Sequence, residues 1–202
     1  MSVAGSHPLR LAPVRGRALD GTPCRLPDEL PGERTLVVVA FRQRHQRDVD
    51  RWIGLAVDLG VPASPLGAVL PMPTAVIEVP LLGRRWLPVR RFIDGGMATG
   101  IADPVVLART ITAYTDPVAF RRACGLRGGG MQVEVLLAGR DGSVAWSARG
   151  APGEGSRAAL AAALSGVPGE AQPSDGGGGG GGAFQPGPGS DPEPGPGPGP
   201  GR

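Results

Sequence analysis

The sequence predicts an α/β domain: a mixed central sheet flanked by helices, opened by an N-terminal hairpin and followed by a disordered tail. Three observations carry this reading. Strand-type and helix-type segments alternate between residues 10 and 164. One segment places Val49, Trp52, Ile53, Ala56 and Val57 at helical spacing, a single apolar stripe. The composition then breaks near residue 165: Ser165–Arg202 holds 15 of the 35 glycines and 9 of the 23 prolines. So little apolar surface cannot offset the entropy of ordering that stretch. The expected organisation is a mobile N-terminus over 1–9, the domain over 10–164 and the tail over 165–202.

The elements follow in order. LAPVRGRALDGTPCRL has an Asp20-Gly21 hairpin signal between two extended runs. TLVVVAF, residues 35–41, is a continuous apolar run, the pattern of a strand buried on both faces. The striped helix comes next and is stopped by Gly60 and Pro62. TAVIEVP, residues 74–80, is a second strand. The glycine-rich FIDGGMATGIADP that follows is read as a turn bringing backbone near the end of the first long strand. Asp103-Pro104 and Asp116-Pro117 each combine a capping acid with a first-turn proline, so each opens a short helix. RTITAYT between them is strand-like. MQVEVLLAG and SVAWSAR, joined by RDG, form a second hairpin. Ser156 is expected to cap a closing helix that sets Leu160 and Leu164 on one side. Alternation followed by a hairpin and a helix implies a mixed sheet with helices on both faces.

Composition excludes several classes. All 21 basic residues are arginine, and part of that excess is discounted as coding bias alongside the abundant Ala, Gly and Pro. Residues 1–164 carry 20 Arg against 14 acids, while the tail carries one Arg against four, so the positive charge sits on the domain. A basic domain favours anionic partners. Yet there is no dense Arg run and little aromatic interleaving, so nucleic acid is not the expected partner. No apolar run reaches the ~18 residues of a membrane span. MSVAGSHPLRLAPVRG lacks the apolar core of a signal peptide. Two cysteines, Cys24 and Cys124, do not make a disulfide framework, and a reduced cytoplasmic protein is expected. A bridge between them stays open, since sequence does not fix their distance.

The strand TLVVVAF, a polar elbow, a long helix, then DPVAFRRACGLRG and VLLAGRDGSVAW together resemble the thioredoxin-like fold. The branch they most resemble is the alkyl-hydroperoxide-reductase and TlpA-like group. There a strand leads to an active-site elbow, and a later segment reads roughly DPDGEVAKAYGVRGVPTTFLIDRDGRIV. The resemblance covers about residues 10–164 and is carried by the order and spacing of short motifs. It implies a Cys-x-x-Cys or Thr-x-x-Cys just after the strand and a cis-proline facing it. Gln46 and Val49 fall near the two cysteine positions, and no cysteine lies between residues 25 and 123. Residues 129–137 contain no proline. The redox apparatus of the family is therefore missing from the expected places. FRQRHQRDVDRW and FIDGGM also resemble small cysteine-poor thioredoxin-like proteins of bacteria and, more weakly, ATP-synthase assembly factors of this fold; no function is carried over from either.

Each candidate site has a bland and a functional reading. Phe120, Ala123 and Cys124 share one side of a short helix, which reads as core. Cys124 also sits at the helix C-terminus, where the macrodipole disfavours a thiolate, although Arg121 and Arg122 offset this in part. Cys24 has only Arg25 nearby to activate it. Both cysteines are read as inert and kept as the fallback for a thiol enzyme. His45 is read as a solvated or capping histidine; as a metal ligand it would have only Asp48 for company, and no metal site or cofactor is implied. Arg42, Gln43, Arg44, Gln46 and Arg47 make the elbow polar and basic, either a solvated face or a small-anion site at a helix N-terminus. Asp94, Gly95 and Gly96 do not fit a phosphate loop, lacking both GKS/T and G-x-G-x-x-G, and are kept as candidate ligand or partner contacts beside the elbow. Trp52 and Trp146 read as packing. Trp86, between Arg84, Arg85, Arg90 and Arg91, is the best partner-contact candidate, because Trp and Arg are typical interface anchors; the alternative reading is a loop tryptophan tucked under its own domain. The function these readings favour is a non-catalytic protein-binding or assembly module. The alternatives are a thiol-dependent oxidoreductase using Cys24 or Cys124, and an anion-binding module at Arg42–Arg47.

Overall fold

The computed structural model describes residues 9–63, 72–127 and 131–166. The segments expected to be mobile or disordered at the two ends lie outside these residues, apart from the few that flank the domain. Among the described residues seven strands form one sheet in the order β2-β1-β5-β4-β3-β6-β7. The N-terminal hairpin is β1 (Val14–Ala18) with β2 (Pro23–Leu26), closed by a turn in which Gly21 takes a φ of +96°. The positive φ is what a glycine after Asp20 provides. β3 (Gly32–Ala40) and β4 (Met72–Leu82) run parallel at the centre, with α1 (Gln46–Asp58) between them. β5 (Ile111–Tyr114) is parallel to β4 and antiparallel to β1. β6 (Glu134–Gly139) and β7 (Val144–Arg149) close the other edge as an antiparallel hairpin, and α5 (Ser156–Leu164) follows. A parallel pair joined by a helix, then an antiparallel hairpin beside it and a final helix, is a thioredoxin-like α/β arrangement.

Alternation along the strands sends side chains to two cores. Val37, Val39, Ile77, Val79, Leu136 and Ala138 pack on one face with Phe120 and Cys124. Leu36, Val38, Val76, Val135 and Leu137 pack on the other with Val49, Trp52 and Ile53 of α1 and Leu160 of α5. The central strands are apolar on both faces, which is why TLVVVAF shows no alternation. Trp52 is 1 % exposed, donates its indole N–H to the Gly150 carbonyl at 2.8 Å and meets Trp146 edge-on at 5.9 Å.

Several expectations are corrected. The glycine-rich stretch is not a turn: α2 runs Arg90–Thr99 through Gly95 and Gly96. Each glycine costs a helix ~1 kcal/mol, but α2 is tied down from outside, since the Tyr114 hydroxyl donates to Asp94 Oδ1 at 2.7 Å. Beyond their chain neighbours and the backbone of α2 itself, no atom lies within 4 Å of where a Cβ would stand on Gly95 or Gly96, so neither makes a close backbone approach to another element. Val57 is exposed, which narrows the α1 stripe to Val49, Trp52, Ile53 and Ala56. On α4 (Pro117–Ala123) Ala123 is exposed and Arg121 is buried in its place. The cap of α5 is Gly155, at φ +84°; the Ser156 hydroxyl instead accepts from the Gly153 N–H at 2.9 Å. Asp103 and Asp116 do cap their helices, accepting from Val105 N–H and Val118 N–H at 2.8 Å, and α3 spans Pro104–Arg109.

Candidate functional site

The elbow after β3 is built by a change of backbone. Arg42 is extended, Gln43–His45 make a 3-10 turn, and α1 starts at Gln46. Arg42, Gln43, Arg44, Gln46 and Arg47 are exposed along it. His45 is not solvated as the sequence suggested. It is buried, and its Nδ1 accepts from the Phe41 N–H at 3.3 Å. Burial lowers its pKa, with Arg44 and Arg42 adding to the effect, while a hydrogen bond with the Met131 backbone and the Asp48 carboxylate oppose it. His45 is therefore held neutral and fixes the chain reversal from β3 into the turn. Among the described residues no group of three or more His, Cys, Asp or Glu could hold a metal.

Two acids missed from the sequence lie beneath this end of the sheet. Glu78 of β4 is 4 % exposed and faces α1. Burial raises its pKa, and Asp50 raises it further; hydrogen bonds from Gln46 and Thr110 and the nearby Arg109 work the other way. The Gln46 amide also donates to Asp50 Oδ1 at 2.9 Å, so it bridges the two carboxyl groups. Glu134 of β6 is buried on the opposite face, where its Oε1 lies 3.0 Å from Arg121 Nη2 and 3.3 Å from Arg149 Nε. Burial is the larger influence and raises its pKa despite both guanidiniums. The signal for both acids was present: TAVIEVP and MQVEVLL each carry one glutamate inside an apolar strand, where an unpaired charge is not tolerated.

Neither cysteine is activated. Cys124 is 1 % exposed, and its Sγ accepts from the Ala12 N–H at 3.3 Å. Burial pushes its thiol up to about 11. Arg121, a cation that would favour a thiolate, is turned to Glu134 instead. Cys24 packs half-buried beside the first core and lines a cavity of about 330 Å³ with Ala18 and Ile111. Its thiol also rises to about 11, through burial and then the Glu29 carboxylate; Arg25 does not help, being paired with Glu29 at 3.0 Å. Both thiols are free.

Trp86 stands in a 3-10 segment, Arg84–Val89, with no buried residue. It is 43 % exposed, and the Arg85 guanidinium lies 5.4 Å from its ring centre. Leu87, Val89 and Phe92 are exposed around it, so segment 84–94 presents apolar and cationic groups together. Asp94, Gly95 and Gly96 lie within α2 rather than in a loop, and Asp94 accepts from the Tyr114 hydroxyl.

No family model matches the chain, and no curated protein matches it. Solved structures do. The chain is similar to BsSco, a member of the Sco family of cytochrome c oxidase assembly proteins, at 12 % identity and TM-score 0.49, over 80 % of this chain and 94 % of that one. A conserved protein from Geobacillus kaustophilus gives 18 % and 0.48, over 80 % and 84 %. A thiol:disulfide interchange protein of the thioredoxin family from Chlorobium tepidum TLS gives 13 % and 0.44, over 82 % and 100 %. These likenesses are of the fold alone. No helix of the described residues is long and apolar enough to cross a membrane.

Proposed function

We propose that this chain is a non-catalytic thioredoxin-like module that binds another protein through the surface around Trp86. The observation that carries the reading is the state of the two thiols. Neither stands at the elbow, and both are pushed up to about 11, so almost no thiolate is present at neutral pH. What the fold offers instead is an exposed Trp86 flanked by Leu87, Val89 and Phe92 and by arginines, the composition of an interface anchor. Two free cysteines fit the further proposal of a reducing, cytoplasmic setting.

Insulin reduction and peroxide consumption should both be at background, and unchanged in the Cys24→Ser, Cys124→Ser double variant. Turnover that this variant abolishes would sink the reading in favour of a thiol enzyme. A partner captured by the wild-type chain should be lost on Trp86→Ala and kept by the cysteine variant.

A further inference from the structure

Arg15 and Arg17 flank Gly16 on β1, and period two sends both away from the core that Val14 and Ala18 enter. β1 lies against β5 in the register Arg17 with Thr112, so the two guanidiniums share a sheet face with Thr112 and Tyr114. α2 meets that face through Tyr114, whose hydroxyl contacts the Arg90 carbonyl at 3.4 Å and Asp94, and it brings Arg90. These side chains, with Leu87 and Asp94, line a concavity of about 230 Å³. Its charge is unbalanced: three arginines face one acid. That acid already accepts the Tyr114 hydroxyl at 2.7 Å. Arg17 donates to the Gly21 carbonyl, and among the described residues none of the three arginines forms an ion pair. Bringing cations together without a counter-charge costs free energy, and an arriving carboxylate would recover it through guanidinium hydrogen bonds. Leu87 lies on the lining and Trp86 is next to it in the chain, so apolar surface adjoins the charged floor.

We propose that this concavity is a carboxylate-binding pocket that anchors an acidic side chain of a protein partner, with a neighbouring apolar residue of that partner resting on Trp86 and Leu87. The proposal rests on the reading that the Trp86 surface is a protein contact and names the chemistry it selects. A peptide is favoured over an anionic membrane by shape. The arginines line a hollow that takes one side chain, whereas a lipid surface is met by cations spread over a flat face.

The test is a fluorescence-anisotropy titration of the full chain with a labelled decapeptide pool in which Asp or Glu alternates with Leu or Phe. A matched pool with Asn and Gln replacing the acids is run beside it, together with vesicles of phosphatidylcholine and phosphatidylglycerol. Saturable binding of the acidic pool is expected. It should weaken at least about tenfold for the amide pool and for the Arg15→Ala, Arg90→Ala double variant. Arg42→Ala, at the elbow, should leave it unchanged, and circular dichroism should report the same fold for every variant. Equal affinity for both pools, no saturable binding of the acidic pool, or binding to vesicles alone would each overturn the proposal. Capture of the partner that is lost on Trp86→Ala but kept by Arg15→Ala, Arg90→Ala would remove the pocket and leave the protein-binding reading intact. Insensitivity to all three substitutions would remove both.

Discussion

Glu78 is 4 % exposed, and burial holds its pKa above the ordinary carboxyl range. A folded pKa above the unfolded one favours the neutral form, so this group's stabilisation is complete below the unfolded pKa and is lost as pH rises through the folded one. Glu78→Gln keeps an oxygen to accept from Gln46 and Thr110 and removes the charge. It should raise the thermal midpoint at about pH 7.5 and change it little at about pH 4; equal effects at the two pH values in thermal melts would contradict the burial argument. His45 works in the opposite sense. Its pKa is lowered by burial, so its share of stability is present above the unfolded value and is lost as pH falls through the folded one. Residue identity alone did not reveal this. His45 lies in a run of arginines, glutamines and aspartates that reads as solvated, and only the 3-10 turn folds it inward.

At the scale of elements, the strand pairs were legible and the surface helices less so. TLVVVAF and the VLLA of β6 are apolar without a break because their strands are covered on both faces, and the two Asp-Pro caps announced α3 and α4. α2 was illegible because two glycines suppress its intrinsic propensity, and the contacts that hold it come from β5. The β1–β5 contact carries a prediction of its own. A Cβ on Gly16 would stand 2.6 Å from Ile111 Cγ2 and 2.8 Å from the Thr112 carbonyl oxygen. The backbone oxygen cannot yield as a side-chain tip does. Gly16→Ala should therefore cost on the order of 1–3 kcal/mol in denaturant unfolding and spread Arg15 and Arg17 away from α2. A neutral outcome would mean that β1 sits more loosely on β5 than these distances state.

For the whole molecule, both apolar clusters are assembled from residues between Leu11 and Leu164. Arg34 of β3 ties the end of α5 to the sheet, donating to the Leu164 carbonyl at 2.6 Å and the Ala163 carbonyl at 3.2 Å. A chain ending after Gly166 should keep the melting midpoint of the full chain, measured by calorimetry. A chain ending after Gly155 lacks Leu160, which is fully buried, and should lose cooperative unfolding. A drop in the first variant would show that residues beyond Gly166 stabilise the domain.

The sequence by itself determined the order of the strands and of every long element but α2, the mixed sheet, the two-sided burial of its central strands and the want of a cysteine at the elbow. These are properties of pattern: apolar period, capping pairs and the presence or absence of a residue type are all local. The tertiary structure alone decided that His45 is buried, that Glu134 is held between Arg121 and Arg149, and that both thiols are raised by burial. It also decided that Arg15, Arg17 and Arg90 share one hollow. Each depends on how the folded chain packs around the residue. Burial and charge pairing are set by what packs opposite, which no local window of sequence contains.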